Sequence, residues 1–161
     1  MTHPSFFDFE TEFTDSLRCI PMLVRFKLDT CGVKLKLEHW HRFTQAERQE
    51  LVDCPCDTPE AAEAYRDRLQ TLVTHYMGTP AKTLPIDPNP PWGRDRPLPD
   101  QVLQEAARHD HTLTADQWQQ LSPLQKFALI KLSRPGHENR NFLPALQEFG
   151  LMPSVEETDL V

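Results

Sequence analysis

The chain is poor in the features that mark a membrane protein, a nucleic-acid binder or a nucleotide-using enzyme. No stretch of its 161 residues approaches the ~20 consecutive apolar residues needed to span a bilayer. No two Lys or Arg residues are adjacent and the formal net charge is −7. Nucleic acid and anionic membrane surfaces, which are bound through clustered basic side chains, are therefore not expected partners. Five glycines leave no P-loop and no dinucleotide fingerprint, and neither a nucleophile elbow nor an H-E-x-x-H zinc helix is present. These absences argue against an enzyme. The opening MTHPSFFDFETEF lacks the basic start and apolar core of a secretory leader, so a cytoplasmic location is expected.

What the chain does have is the makings of a helical core. Its hydrophobic fraction is 39% and its charged fraction 25%, ordinary values for a globular domain that needs no disulfide staple. Fifteen prolines mark where helical patterns begin or break. Ile20, Val24 and Leu28 fall on one stripe at i, i+4 and i+8, which predicts a helix over 20–31, opened by Pro21 and closed by Gly32. Leu37, Trp40 and Phe43 predict a short helix. Thr44 and Glu47 form a T-x-x-E capping box ahead of a helix carrying Leu51 and Val52. Thr58, Pro59 and Glu60 supply an N-cap, a first-turn proline and an acid at the positive dipole end. Ala61, Tyr65, Leu69, Leu72 and Tyr76 then hold the period until Gly78. Residues 79–98 contain six prolines and break every period, predicting a stiff connector whose Trp92 packs on the body. Helices follow over 100–108, from Thr114 with Gln117, over 124–132 behind an S-x-x-Q box at Ser122, and over 141–149. There Gly150 and Leu151 fit a Schellman ending.

The Phe-rich start (Phe6, Phe7, Phe9, Phe13) reads as an arm, docked on the body in preference to standing free for a partner. The acidic tail 153–161 is expected to be disordered. Trp40 and Trp118 lie 78 positions apart. Laying EHWHRFTQAER over DQWQQLSPLQK at that offset matches Phe43 with Leu121, Thr44 with Ser122, Glu47 with Gln125 and Arg48 with Lys126. Two helical hairpins related by pseudo-symmetry would explain the match, as would the general likeness of capped amphipathic helices. The expected fold is all-α, a compact single-domain bundle over 1–152 of about six to eight short helices, with the connector 79–98 packed on it.

Few constellations could carry chemistry. Cys54-Pro55-Cys56 is the first metal candidate, since two thiols around a proline could face one side and bind a soft metal. Structural zinc sites repeat such a pair, and no second pair is present. Cys19, Cys31, Cys54 and Cys56 therefore read first as unreactive thiols without a disulfide, and only secondarily as metal ligands. His39 and His41, two apart on a helix, point in different directions and make poor co-ligands. The densest polar cluster is SRPGHENRN, residues 133–141. Arg134, His137, Glu138, Asn139, Arg140 and Asn141, with Phe142 next, stand on a loop opened by Pro-Gly. Two arginines there suit a partner's carboxylate or phosphate. An internal network, with Arg140 paired to acids and Asn141 capping the last helix, would explain the same residues.

Three blocks carry a family resemblance: DSLRCIPMLVRFKLDTCGVKL at 15–35, CDTPE at 56–60 and LQKFALIKLSRPGHENRNFLPALQEFGL at 124–151. With the W-x-x-F segment between them, the chain resembles the nitrate-reductase-associated protein family, found chiefly in cyanobacteria. The resemblance implies a helper that is not itself an enzyme and holds no cofactor of its own. It is needed for active assimilatory nitrate reductase, an enzyme carrying a molybdenum dinucleotide cofactor and an iron–sulfur cluster. The implied partner is the nitrate reductase catalytic subunit. The leading reading built on this is that the apo-enzyme is bound during assembly of either group, with the polar residues 134–142 as the expected contact. The family brings no established catalytic residues. Two other readings stay open: a metal- or cofactor-handling protein in which the four cysteines converge, and a stably bound subunit that assists electron delivery.

Overall fold

The computed structural model describes residues 6–11 and 17–152, and of His137 the backbone alone. The chain divides into two compact units, Met1–Pro88 and Asn89–Val161. The first opens on a 3₁₀ turn, Asp8–Glu10. The Glu10 carboxylate is buried there because it accepts from the backbone N–H groups of Met22 at 3.1 Å and Phe7 at 3.3 Å. It thereby serves the start of helix α1 (Met22–Cys31), where Pro21 stands at the N-cap without a side-chain acceptor. Phe6 packs against the core and Phe7 stacks on Phe9 at 5.2 Å. Phe13 lies outside the described residues.

α1 ends at Gly32, whose φ is 76°. There follow β1 (Val33–Lys34), α2 (Leu37–Arg42), α3 (Gln45–Asp53), α4 (Pro59–Met77) and β2 (Lys82–Thr83). The expected caps are in place: Thr44 and Glu47 exchange bonds of 3.1 and 2.8 Å, and Thr58 accepts from the Ala61 N–H at 3.0 Å. Val24, Leu28, Trp40, Leu51, Tyr65 and Leu69 meet in the core between these helices. One feature departs from the helical expectation. β2 pairs antiparallel with β1, Val33 opposite Thr83, and the Leu84 N–H donates to the Gly32 carbonyl at 2.8 Å. The connector is drawn to the end of α1 by these distant backbone partners, which no local period encodes.

The second unit holds α5 (Asp100–Arg108), α6 (Ala115–Gln119), α7 (Pro123–Leu132), a 3₁₀ turn (His137–Asn141) and α8 (Phe142–Glu148). Thr114 with Gln117 and Ser122 with Gln125 form reciprocal capping boxes. The Schellman ending is complete, with the Leu151 N–H on the Leu146 carbonyl at 2.9 Å and the Gly150 N–H on the Gln147 carbonyl at 3.1 Å. Trp92 stands edge-on to Phe127 at 4.9 Å, which packs its part of the connector on α7. Two expectations change. The polar segment is not an open loop, since residues 137–141 coil into a 3₁₀ turn after Gly136. Asn141 occupies the N-cap position of α8 but makes no side-chain cap bond. Its backbone already continues a helical turn, so its side chain is not set over the first free N–H groups. Among the described residues no helix is long and apolar enough to cross a membrane.

The offset of 78 extends well beyond the Trp segments. Pro21 and Pro99 are the N-caps of α1 and α5, with φ of −64° and −68°. Val24 and Val102 are fully buried, as are Trp40 and Trp118. Gly32 and Asp110 are both left-handed, at φ 76° and 58°. The Lys36 N–H donates to His39 Nδ1 at 3.2 Å, and the Thr114 N–H donates to Gln117 at 3.1 Å. Arg48 lies over the Trp40 ring at 5.9 Å and Lys126 over the Trp118 ring at 5.8 Å. Residues 21–53 and 99–131 are thus two copies of one motif. Capped helices in general do not share a left-handed residue, a cation over indole and a proline cap at one fixed spacing.

Candidate functional site

On α1 of the first unit, Val24, Lys27, Leu28 and Cys31 follow the i, i+3, i+4, i+7 spacing of one helical face, and all four are buried. A lysine in that stripe must find acceptors. Lys27 Nζ donates to the Val52 carbonyl at 2.7 Å and to the Cys54 carbonyl, acceptors freed where α3 runs out of helical partners. The ammonium also stands 5.6 Å from the centroid of the Tyr65 ring. Burial holds Lys27 below the ordinary lysine range, against the nearby Cys56 and Cys54.

This pin through the end of α3 brings the following turn, with Cys56, against α1. Cys56 Sγ lies 3.6 Å from the Lys27 carbonyl oxygen, and Cys31 Sγ lies 3.7 Å from the next carbonyl oxygen, of Leu28. Each thiol donates to its carbonyl, and the two act on one another's acidity. Cys31 draws Cys56 below the ordinary thiol range, outweighing burial and assisted by the Lys27 charge. The presence of Cys56, with burial, pushes Cys31 well up. Tyr65 is pushed up by burial, and its hydroxyl donates to the Leu51 carbonyl at 2.7 Å.

Both thiols line a cleft of about 480 Å³, walled by Thr30, Thr58, Ala62, Arg66 and, from the connector, Ile86. All four cysteines are free thiols. The two that meet are Cys31 and Cys56, while Cys19 and Cys54 are half-buried. Among the described residues no group of three or more His, Cys, Asp or Glu side chains could hold a metal ion.

The polar turn of the second unit is placed differently. Arg134 and Arg140 are exposed, and Glu138, Asn139 and Asn141 are half-buried. Asn139 Nδ2 donates to the Leu132 carbonyl at 3.0 Å, tying the turn to the end of α7. Phe142 is corrected from the surface to the core, being fully buried and stacked on His109 at 5.9 Å. It is the first residue of α8, and its side chain is taken up by the hydrophobic face of that helix.

Sequence reasoning alone passes over Lys27, Arg66 and the Cys31–Cys56 pair. A lysine at i+3 in an apolar stripe is a readable sign of a buried cation. The thiol pair is brought together across long sequence separation and leaves no local sign.

The chain finds no match among curated proteins or among solved structures. Comparison with protein-family models does find one, described as conserved nitrate reductase-associated protein, over residues 6–149. That span takes in both copies of the repeated motif, the thiol cleft and the polar turn. The chain belongs to the conserved nitrate reductase-associated protein family.

Proposed function

We propose that the chain is an accessory factor, not an enzyme, that assists the maturation of nitrate reductase. In this reading it binds the apo catalytic subunit while the molybdenum cofactor or the iron–sulfur cluster is installed. The observation that carries the reading is family membership over residues 6–149. The polar turn supports it in second place. Arg134 and Arg140 are exposed on a turn that Asn139 ties to α7, so two guanidinium groups are offered to carboxylates of a partner.

The test is to express the cognate catalytic subunit with and without this chain, then measure specific activity and molybdenum per purified enzyme. Loss of both without the chain assigns it to cofactor insertion. Full molybdenum with low activity moves the step to the iron–sulfur cluster or to electron delivery. No change in either removes the reading. The double variant Arg140→Ala, His137→Ala is expected to stay folded and fail to activate the enzyme. Full activation by the folded variant would take the turn out of the mechanism.

A further inference from the structure

We infer that Cys31 and Cys56 form a thiol–disulfide exchange site for small peptide disulfides entering the first-unit cleft, with Cys56 attacking and Cys31 resolving. Five observations converge on it. The two thiols donate to consecutive carbonyls in the last turns of α1, Cys56 to Lys27 at 3.6 Å and Cys31 to Leu28 at 3.7 Å, which sets them side by side. Both line one cleft, where Cys56, 7% exposed, is the more open and Cys31, 1% exposed, lies behind it. Cys56 is the thiol held below its ordinary range, by Cys31 first and with the Lys27 ammonium assisting, which favours it as the nucleophile. The cleft, about 480 Å³, is in the size range of small-molecule sites. Its wall also carries both signs of charge. Arg66 can take a carboxylate, and Asp57 and Glu63 an ammonium, the groups that a peptide disulfide bears.

The chemistry balances with the disulfide itself as oxidant. The Cys56 thiolate attacks one sulfur of the small disulfide, forming a mixed disulfide and expelling one thiolate, which takes up the Cys31 proton. The Cys31 thiolate then attacks the Cys56 sulfur and expels the second thiolate, which is protonated by solvent. Two electrons pass from the protein dithiol to the small disulfide, giving a Cys31–Cys56 bond and two small thiols. The inference stands on the cleft alone and does not depend on the activation of nitrate reductase.

The experiment incubates the folded full chain with oxidised glutathione, blocks remaining thiols with an alkylating reagent, and maps the peptides by mass spectrometry. In the wild type, a Cys31–Cys56 disulfide that dithiothreitol reverses is expected as the main product. In Cys31→Ser, a glutathione adduct should build up on Cys56 at least about tenfold faster than on Cys19 or Cys54. In Cys56→Ser, Cys31 should stay free. Adducts confined to Cys19 and Cys54, with Cys31 and Cys56 still alkylated in the wild type, would overturn the assignment, as would a disulfide between any other pair. Circular dichroism checks the variants, and should either fail to fold, the wild-type map decides.

Discussion

Gly32 and Asp110 hold the same place in the two copies of the motif, yet they are not interchangeable. Both have a left-handed backbone, which costs an L-residue roughly 1–2 kcal/mol and which Asp tolerates better than most. At Gly32 there is a second obstacle. A Cβ would stand 2.7 Å from the Leu84 carbonyl oxygen and 2.8 Å from Ile86 Cγ1, because the connector crosses there. Gly32→Ala is therefore expected to destabilise the protein by about 2–4 kcal/mol, backbone strain and overpacking together. Asp110→Ala should cost about 1 kcal/mol, strain alone. Urea denaturation of the two variants measures the gap, and equal losses would mean that the connector yields freely at Gly32.

At the scale of elements, Glu47 joins the start of α3 to the end of α4. Its carboxylate accepts from the Thr44 N–H at 2.8 Å and from the Tyr76 hydroxyl at 2.7 Å. Burial pushes its acidity one way, but these bonds outweigh it and hold Glu47 below the ordinary carboxylate value of 4.5. A carboxylate depressed in the folded state adds stability that is complete above the unfolded value and is lost as pH falls through the folded one. Glu47→Gln keeps the capping box, as Gln125 does in the second copy, and removes the charge. Near neutral pH the wild type should exceed E47Q by roughly 0.3–1 kcal/mol, a size suited to a partly solvated group. That difference should close as pH falls below 4.5, and a gap that persists in acid would show that charge is not its source. Distance along the chain decides how much of this level is legible in the sequence. Thr44, Thr58, Thr114 and Ser122 act on backbone three residues away, and Gly150 acts on its own helix, so all can be read directly. The β1–β2 ladder and the meeting of Cys31 with Cys56 need the chain to return from far off. The candidate site divides in the same way. Arg134 and Arg140 are visible as polar turn residues, whereas Phe142 is absorbed by a helix that begins on it. Cys54 and Cys56 look like a pair only because they are close in sequence.

The molecule as a whole is built on one motif used twice, and the copies have been finished differently. After the shared segment the first continues into α4, 19 residues long, and the second into a 3₁₀ turn and the 7-residue α8. The indoles show the same divergence. Trp40 Nε1 donates to the Leu17 carbonyl at 2.7 Å, whereas Trp118 Nε1 meets no acceptor among the described residues. Replacing either by Phe leaves a comparable void, but only Trp40→Phe also breaks a buried hydrogen bond. It should cost about 1 kcal/mol more than Trp118→Phe. Denaturation of both variants under one condition checks this, and a larger loss at Trp118 would show that its indole is bonded after all.

The crossing at Gly32 has a mechanical side. The ladder beside it is only two residue pairs long, Val33 with Thr83 and Lys34 with Lys82, so it can peel one pair at a time. Ile86, three residues beyond it on the connector, is also part of the wall around the two thiols. The two-pair ladder thus anchors the stretch of chain that brings Ile86 into the wall, so the smallest sheet in the molecule helps to shape the cleft.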